Sequence, residues 1–310
     1  MGAQLEVGTF TRSLLIHVAR ATGALERAGI EVQETLVASS PAQFKSLAAG
    51  EFDLVMTSPD NVLAYRFLTQ NPLGQNIPVK ILAAIDRGLG LSLCLAPHLE
   101  NVESVSGQIV GVDVPQSGFA FVAYALLEES GLAPDAYQVQ ALGSTPKRAT
   151  ALIVGDCAAT VLNAGNELRA IGKGCTLVSQ VTRLGPYLGT VLAAVPSENQ
   201  RDEAIRLGFV EVLLETSQQI QTGQWEPEVI QGAMTLLGLT ERQAHQHRAI
   251  LRDPQQGLVP CGIVDRASIS TLIDLRSKYS PSVQLGTILA SLGSFVIPRA
   301  LDETADSTNA

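Results

Sequence analysis

Apolar residues recur at helical spacing in TRSLLIHVARATGALERAG (11–29) and in SGFAFVAYALLEESG (117–131), and each run stops at a glycine. A short alternating stretch follows each run, EVQETLV (31–37) and YQVQAL (137–142), and predicts a strand. Then comes a Ser/Thr-Pro pair, a short helix, Gly-Glu or Gly-Asp, and a second strand. The phrases LAAGEFDLVMTSPDN (47–61) and LIVGDCAATVLNAGN (152–166) carry the end of this pattern twice. They superpose without a gap at an offset of 105 residues, placing Pro41 on Pro146, Leu47 on Leu152, Gly50 on Gly155 and Glu51 on Asp156.

The Ser/Thr-Pro starts have a mechanism. A hydroxyl is expected to cap the free N–H groups of the first turn, and proline at the first helical position loses nothing by lacking an N–H. Strands alternating with helices predict α/β architecture, a mainly parallel sheet covered on both faces. Ligands of such sheets sit beyond the carboxyl ends of the strands. Two copies in one chain predict two lobes whose polar tips face one cleft. At about 100–200 residues per domain, 310 residues also suit two lobes.

The cleft candidates are therefore the residues at strand ends. In the first copy these are Thr9, Phe10, Thr11 and Arg12, then Ser39 and Ser40, then Thr57, Ser58 and Asp60. In the second they are Gln116, Ser117, Gly118 and Phe119, then Ser144 and Thr145, then Asn163. Several precede helices, where unpaired N–H groups and the positive dipole end favour an anion. Arg12 adds a charge suited to a carboxylate, sulfonate or phosphate. Phe10 and Phe119 offer apolar walls for a flat ligand, and Asp60 either caps its helix or meets an amine.

Composition narrows the partners. Hydrophobic residues make up 46% and charged residues 16%, enough apolar mass for a large core. A net charge of −9 and the lack of a basic stripe exclude nucleic acid. No apolar run is long enough to span a membrane. The start, MGAQLEVGTF, has neither the basic nor the apolar region of a secretory signal. The expected location is periplasmic or extracellular if a signal has been removed, and cytoplasmic if the chain is complete as given. The four cysteines, Cys94, Cys157, Cys175 and Cys261, form no CxxC pair. They suggest neither a metal nor a cofactor and read as core thiols, with two disulfides left open.

SPAQFKSLAAGEFDLVMTSPDNVLAYR (40–66) resembles the helix–Gly–Glu–x–Asp–strand–helix signature of substrate-binding proteins of nitrate, sulfonate, taurine and pyrimidine-precursor ABC transporters. GVDVPQSGFAFVAYALLEESGL (111–132) is similar to that family's start of the second lobe. GTVLAAVPSENQRDEAIRLGFVEVLLETSQQI (189–220) resembles its return strand and long helix. The resemblance implies a two-lobed type II periplasmic-binding-protein fold with two hinge crossings, near 87–97 and 189–197. On this plan 1–88 and about 198–300 form lobe 1, 89–197 form lobe 2 with the hinge strands, and 301–310 are a flexible tail. It also implies capture of a small organic anion or heteroaromatic, with an ABC permease as the partner.

The alternative is a cytoplasmic lyase or ligand sensor on the same fold, since desulfinases, aromatic decarboxylases and fungal pyrimidine synthases share it. The residues assemble no catalytic set. His17 is the best acid/base candidate, while His98 lies in a proline turn. His245 and His247, two apart, point to different helix faces. The iron-binding cysteine run of the pyrimidine synthases is absent. The desulfinases' first-lobe cysteine and strand-end histidine are also missing, because the first cysteine is Cys94 and VMTSPDN carries no histidine.

Overall fold

The computed structural model describes residues 2–301, so the expected tail beyond Leu301 lies outside the described residues. The first copy of the repeat runs β1 (Ala3–Thr9), α1 (Leu14–Ala21), the single turn α2 (Ala24–Arg27), β2 (Ile30–Leu36), α3 (Ser40–Ala48), β3 (Leu54–Thr57), α4 (Pro59–Phe67) and β4 (Lys80–Asp86). After β5 (Ser92–Leu95) the second copy runs β6 (Ile109–Val112), α5 (Gly118–Glu129), β7 (Gln138–Ala141), α6 (Thr145–Val154), β8 (Ala159–Leu162), α7 (Asn166–Ile171) and β9 (Thr176–Gln180). The chain returns through β10 (Thr190–Ala194) and finishes in helices, chiefly α8 (Gln200–Gln221), α9 (Glu226–Leu237), α10 (Glu241–Leu251) and α11 (Arg266–Tyr279).

Two five-stranded sheets result, ordered β2-β1-β3-β10-β4 and β7-β6-β8-β5-β9. They follow one plan. In each, three parallel strands come from the local copy, and an antiparallel strand from the other side of the hinge enters fourth. The sequence repeat is thus a repeat of topology, with β3 and β8 at the same offset of 105 as the quoted phrases.

This interleaving moves one expected boundary. The strand of 190–194, expected with lobe 2, lies in the first sheet, where β3 and β4 satisfy its backbone from both sides. The second crossing therefore falls between β9 and β10, and the first between Asp86 and Ser92. The C-terminal region also departs from expectation. Helices α8 and α9 pack on lobe 1 beside α1, and α10 packs on α9 while also touching α7 of lobe 2; α11 lies against α5 of lobe 2 while also touching α4. The chain on either side of α11 bridges back to the first sheet, Asp86 with Leu258 and Ile81 with Val296.

Two apolar clusters follow. One lies between the first sheet and α1, α8, α9 and α10, around Ile16, Phe209 and Val229. The other starts under α3 and α4 with Phe44 and Tyr65 and continues through α11 into the second lobe around Phe121 and Leu126. All four cysteines are free thiols; Cys94, Cys157 and Cys175 are buried, but Cys261, read as a core thiol, is exposed.

Candidate functional site

The strand ends of both sheets open onto a cavity of about 150 Å³ between the lobes. The first-lobe lip is shaped by Glu34, a buried carboxylate at the end of β2. It accepts hydrogen bonds from the Thr9 hydroxyl at 3.0 Å and the Ser13 amide at 2.6 Å. Burial raises its pKa against these bonds. Ser13 in turn caps α1 through its hydroxyl. This holds Thr9, Phe10, Thr11 and Arg12 along the cavity wall. Ser39, Thr57 and Ser58 continue the wall, and the Asn61 amide donates to the Thr57 hydroxyl at 3.0 Å.

The second lobe contributes Ser117, Gly118, Phe119, Ser144, Thr145 and Asn163. Ser117 accepts from the Ala120 amide at 3.1 Å, capping α5, and donates to Asp113. The Asn163 amide donates to the Gly88 carbonyl at 3.1 Å, tying this lip to the first hinge crossing.

Among the expected residues, Ser40, Asp60 and Gln116 stand apart from the cavity lining. Ser40 is buried in the first turn of α3, where the Tyr65 hydroxyl donates to it and Tyr65 stacks on Phe44 at 4.0 Å. Asp60 is committed to Arg276, and the Gln116 carbonyl accepts from the same guanidinium at 3.2 Å. The capping chemistry also differs from expectation: neither Ser39 nor Ser144 makes a side-chain cap bond. Side-chain caps around the cavity are made instead by Ser13, Ser58 and Ser117.

Arg12, the expected anion contact, is exposed at the rim with Nη1 on the Glu34 carbonyl at 3.2 Å. The buried cation is Arg148 of α6, only 1% exposed yet lining the cavity. It donates to the Gly143 carbonyl at 2.6 Å, to the Thr145 hydroxyl at 3.1 Å and to the Val161 carbonyl at 3.3 Å. Its Nε has no partner among the described residues. Burial lowers its pKa while Asp113 works the other way; a guanidinium stays charged regardless.

Arg148 was readable in the repeat. At the offset of 105 it falls on Gln43, and Val161 falls on Met56. Gln43 donates to the Gly8 and Met56 carbonyls at 3.0 and 3.1 Å, so both side chains tie their helix to equivalent strand ends. One copy has a neutral amide there and the other a cation.

The hinge side holds two further features. Asp86 lines the cavity, fully buried, with its pKa raised to about 6 by burial against hydrogen bonds from Thr190 and Gly88. Leu89 and Ala164 also line it, at left-handed φ values of 50° and 53°, and the Ala164 amide donates to the Leu89 carbonyl at 2.9 Å. Both carry Cβ atoms in a region that favours glycine, so the crossing holds strain beside the site.

The histidines are redistributed. His17 sits half-buried against Gly232 of α9, away from the cavity lining, and burial lowers its pKa. His247 lines the cavity instead. The sequence showed it only as half of a poor metal pair. Among the described residues no three His, Cys, Asp or Glu side chains are placed to hold a metal ion, and no helix is long and apolar enough to cross a membrane.

Two α/β lobes with interleaved sheets and a cavity at their facing strand ends define the periplasmic binding-protein fold. Solved structures agree. The nitrate-binding protein NrtA of Synechocystis is similar with a TM-score of 0.72 at 14% identity, covering 94% of this chain and 86% of that one. The alkanesulfonate-binding protein SsuA of Xanthomonas axonopodis, bound to MOPS, gives 0.69 at 13% identity over 97% and 98%. A conserved Candida albicans gene product, described as defining a new family with the generic periplasmic binding protein fold, gives 0.70 at 13% identity over 94% and 95%. No family model and no curated protein matches the chain.

Proposed function

We propose that the chain is a solute-binding protein whose lobes close on a small organic acid, the acid group seated on Arg148 among Ser39, Ser144 and Thr145. One observation carries this reading: a guanidinium buried to 1% exposure faces the interlobe cavity and bonds to two carbonyls and a hydroxyl, with no carboxylate among its partners. Desolvating a cation is costly unless an opposite charge arrives. Hydroxyls left free of capping complete an anion-binding end. Neither aspartate of the wall hydrogen-bonds to Arg148, although the Asp113 charge acts on it through space. Backbone and hydroxyl donors hold Asp86, and Ser117 occupies Asp113.

Two similar structures, of a nitrate-binding and an alkanesulfonate-binding protein, support an anion as the solute. By the same likeness, delivery to an ABC permease outside the cytoplasmic membrane is the physiological role. Calorimetry against sulfonates, carboxylates, nitrate and pyrimidines tests it. Saturable binding of at least one acid is expected, weakened about tenfold or more in Arg148→Met. Binding that ignores this substitution, or no binding at all, overturns the proposal.

A further inference from the structure

Away from Arg148 the cavity changes character. It extends into lobe 1 between the start of α1 and the ends of α8, α9 and α10, where Leu14, Leu15, Ile220, Leu237 and Leu251 line it. Within this apolar limb stands His247 of α10, 1% exposed. Its Nδ1 has no hydrogen-bond partner among the described residues. Burial pushes its pKa down to about 4, so the imidazole is neutral and offers one donor and one acceptor. Packing alone would put a leucine there. A buried unpaired ring nitrogen destabilises the fold unless something bonds to it.

We infer that the limb is a second recognition subsite, and that the solute is a two-ended molecule. It has an acid group for Arg148, an apolar spacer for the leucine-lined limb, and a terminal hydroxyl or amide that hydrogen-bonds to His247. The inference rests on the capture reading and narrows it. The two polar anchors sit on different lobes, Arg148 on the second and His247 on the first, so a solute long enough to meet both rewards closure. A compact acid meets only one. The leucine walls make the spacer a hydrocarbon chain or ring, because a charged or hydrated middle would lose its water there without replacement.

The test is calorimetry on the unmodified protein with straight-chain carboxylates from acetate to decanoate, the matching alkanesulfonates, and the ω-hydroxy forms of both. Affinity should climb about three- to fourfold per methylene, the equivalent of ~0.8 kcal/mol, until the limb is full. At the best length the hydroxyl end should bind about fivefold tighter than the methyl end. His247→Leu should erase that preference, and His247→Gln should keep part of it. Flat affinity along a series that binds, or a hydroxyl preference that survives His247→Leu, overturns the subsite and leaves capture standing. Failure of every acid to bind overturns both.

Discussion

Arg276 grips Asp60 at two points, Nε to Oδ1 and Nη2 to Oδ2, each at 2.6 Å, although 216 residues separate them. Asp60 belongs to the first turn of α4 in lobe 1 and is fully buried. The same guanidinium donates to the Gln116 carbonyl of lobe 2 and lies 5.0 Å from the centre of the Phe121 ring. Helix α11 is thus a strap that knots both lobes at one residue. The same last turn holds lobe 2 again, where the Tyr279 hydroxyl and Lys278 both meet Glu128.

Removing one partner of this pair strands the other charge. Asp60→Asn or Arg276→Met should each destabilise the protein by about 3–5 kcal/mol, and the double substitution by less than their sum. Urea melts of all three variants measure it. Single variants that melt like the parent would show that the knot is not structural.

Gly118 gives a second handle on the same contact. A Cβ there would lie 2.7 Å from the Cβ of Asp60, too close without a shift of the lip. Gly118→Ala should destabilise by about 1–3 kcal/mol and weaken solute binding, since the loop bearing Ser117 and Phe119 must move. Thermal melts and calorimetry on one preparation separate the two effects.

The two arginines of the wall should behave differently. Arg148→Lys keeps the charge but loses the fork that spans two carbonyls and a hydroxyl, and should bind an acid more weakly than the parent. Arg12→Ala, at the exposed rim, should cost less than about 1 kcal/mol of affinity. Equal losses at both positions would relocate the anion.

Stability should depend on pH through buried groups of opposite sign, Asp86 and Glu167 raised and His247 lowered. Burial raises Glu167 from 4.5 to about 8. The folded chain therefore keeps a proton the unfolded chain gives up, and this stability is full below pH 4.5 and lost as pH rises towards 8. Glu167 lies under the first crossing, its Oε1 3.2 Å from where a Cβ of Gly90 would be. Glu167→Gln should flatten the alkaline decline of the melting temperature. His247 is lowered from 6.5 to about 4, so its contribution is present above pH 6.5 and lost as pH falls to 4. His247→Leu should flatten the acid limb.

Much of the architecture was written in the periodicity, because a repeated αβ unit marks itself by caps, glycine stops and strand alternation. The course of β10 was not, because an apolar strand such as TVLAA satisfies either sheet equally by pattern, and only three-dimensional pairing decides. Ser40 and Asp60 were misplaced for a related reason: a polar residue at a helix start reads the same whether it faces a cleft or a buried partner elsewhere in the fold, Tyr65 for one and Arg276 for the other. Arg148 and His247 were missed because both sit mid-helix, where charged and polar side chains ordinarily face solvent. The repeat still held a clue to the first in its pairing with Gln43.

That exchange gives the clamp a polarity. Two seats built on the same plan differ in charge, with the Gln43 amide in one and the Arg148 guanidinium at the matching position of the other. Under the proposed capture of an acid, a guest with a single acid group should have one orientation of lowest energy between them, since its reverse would leave the guanidinium bare. The repeated unit builds both jaws, and on the proposed reading the charge carried by one of them tells head from tail.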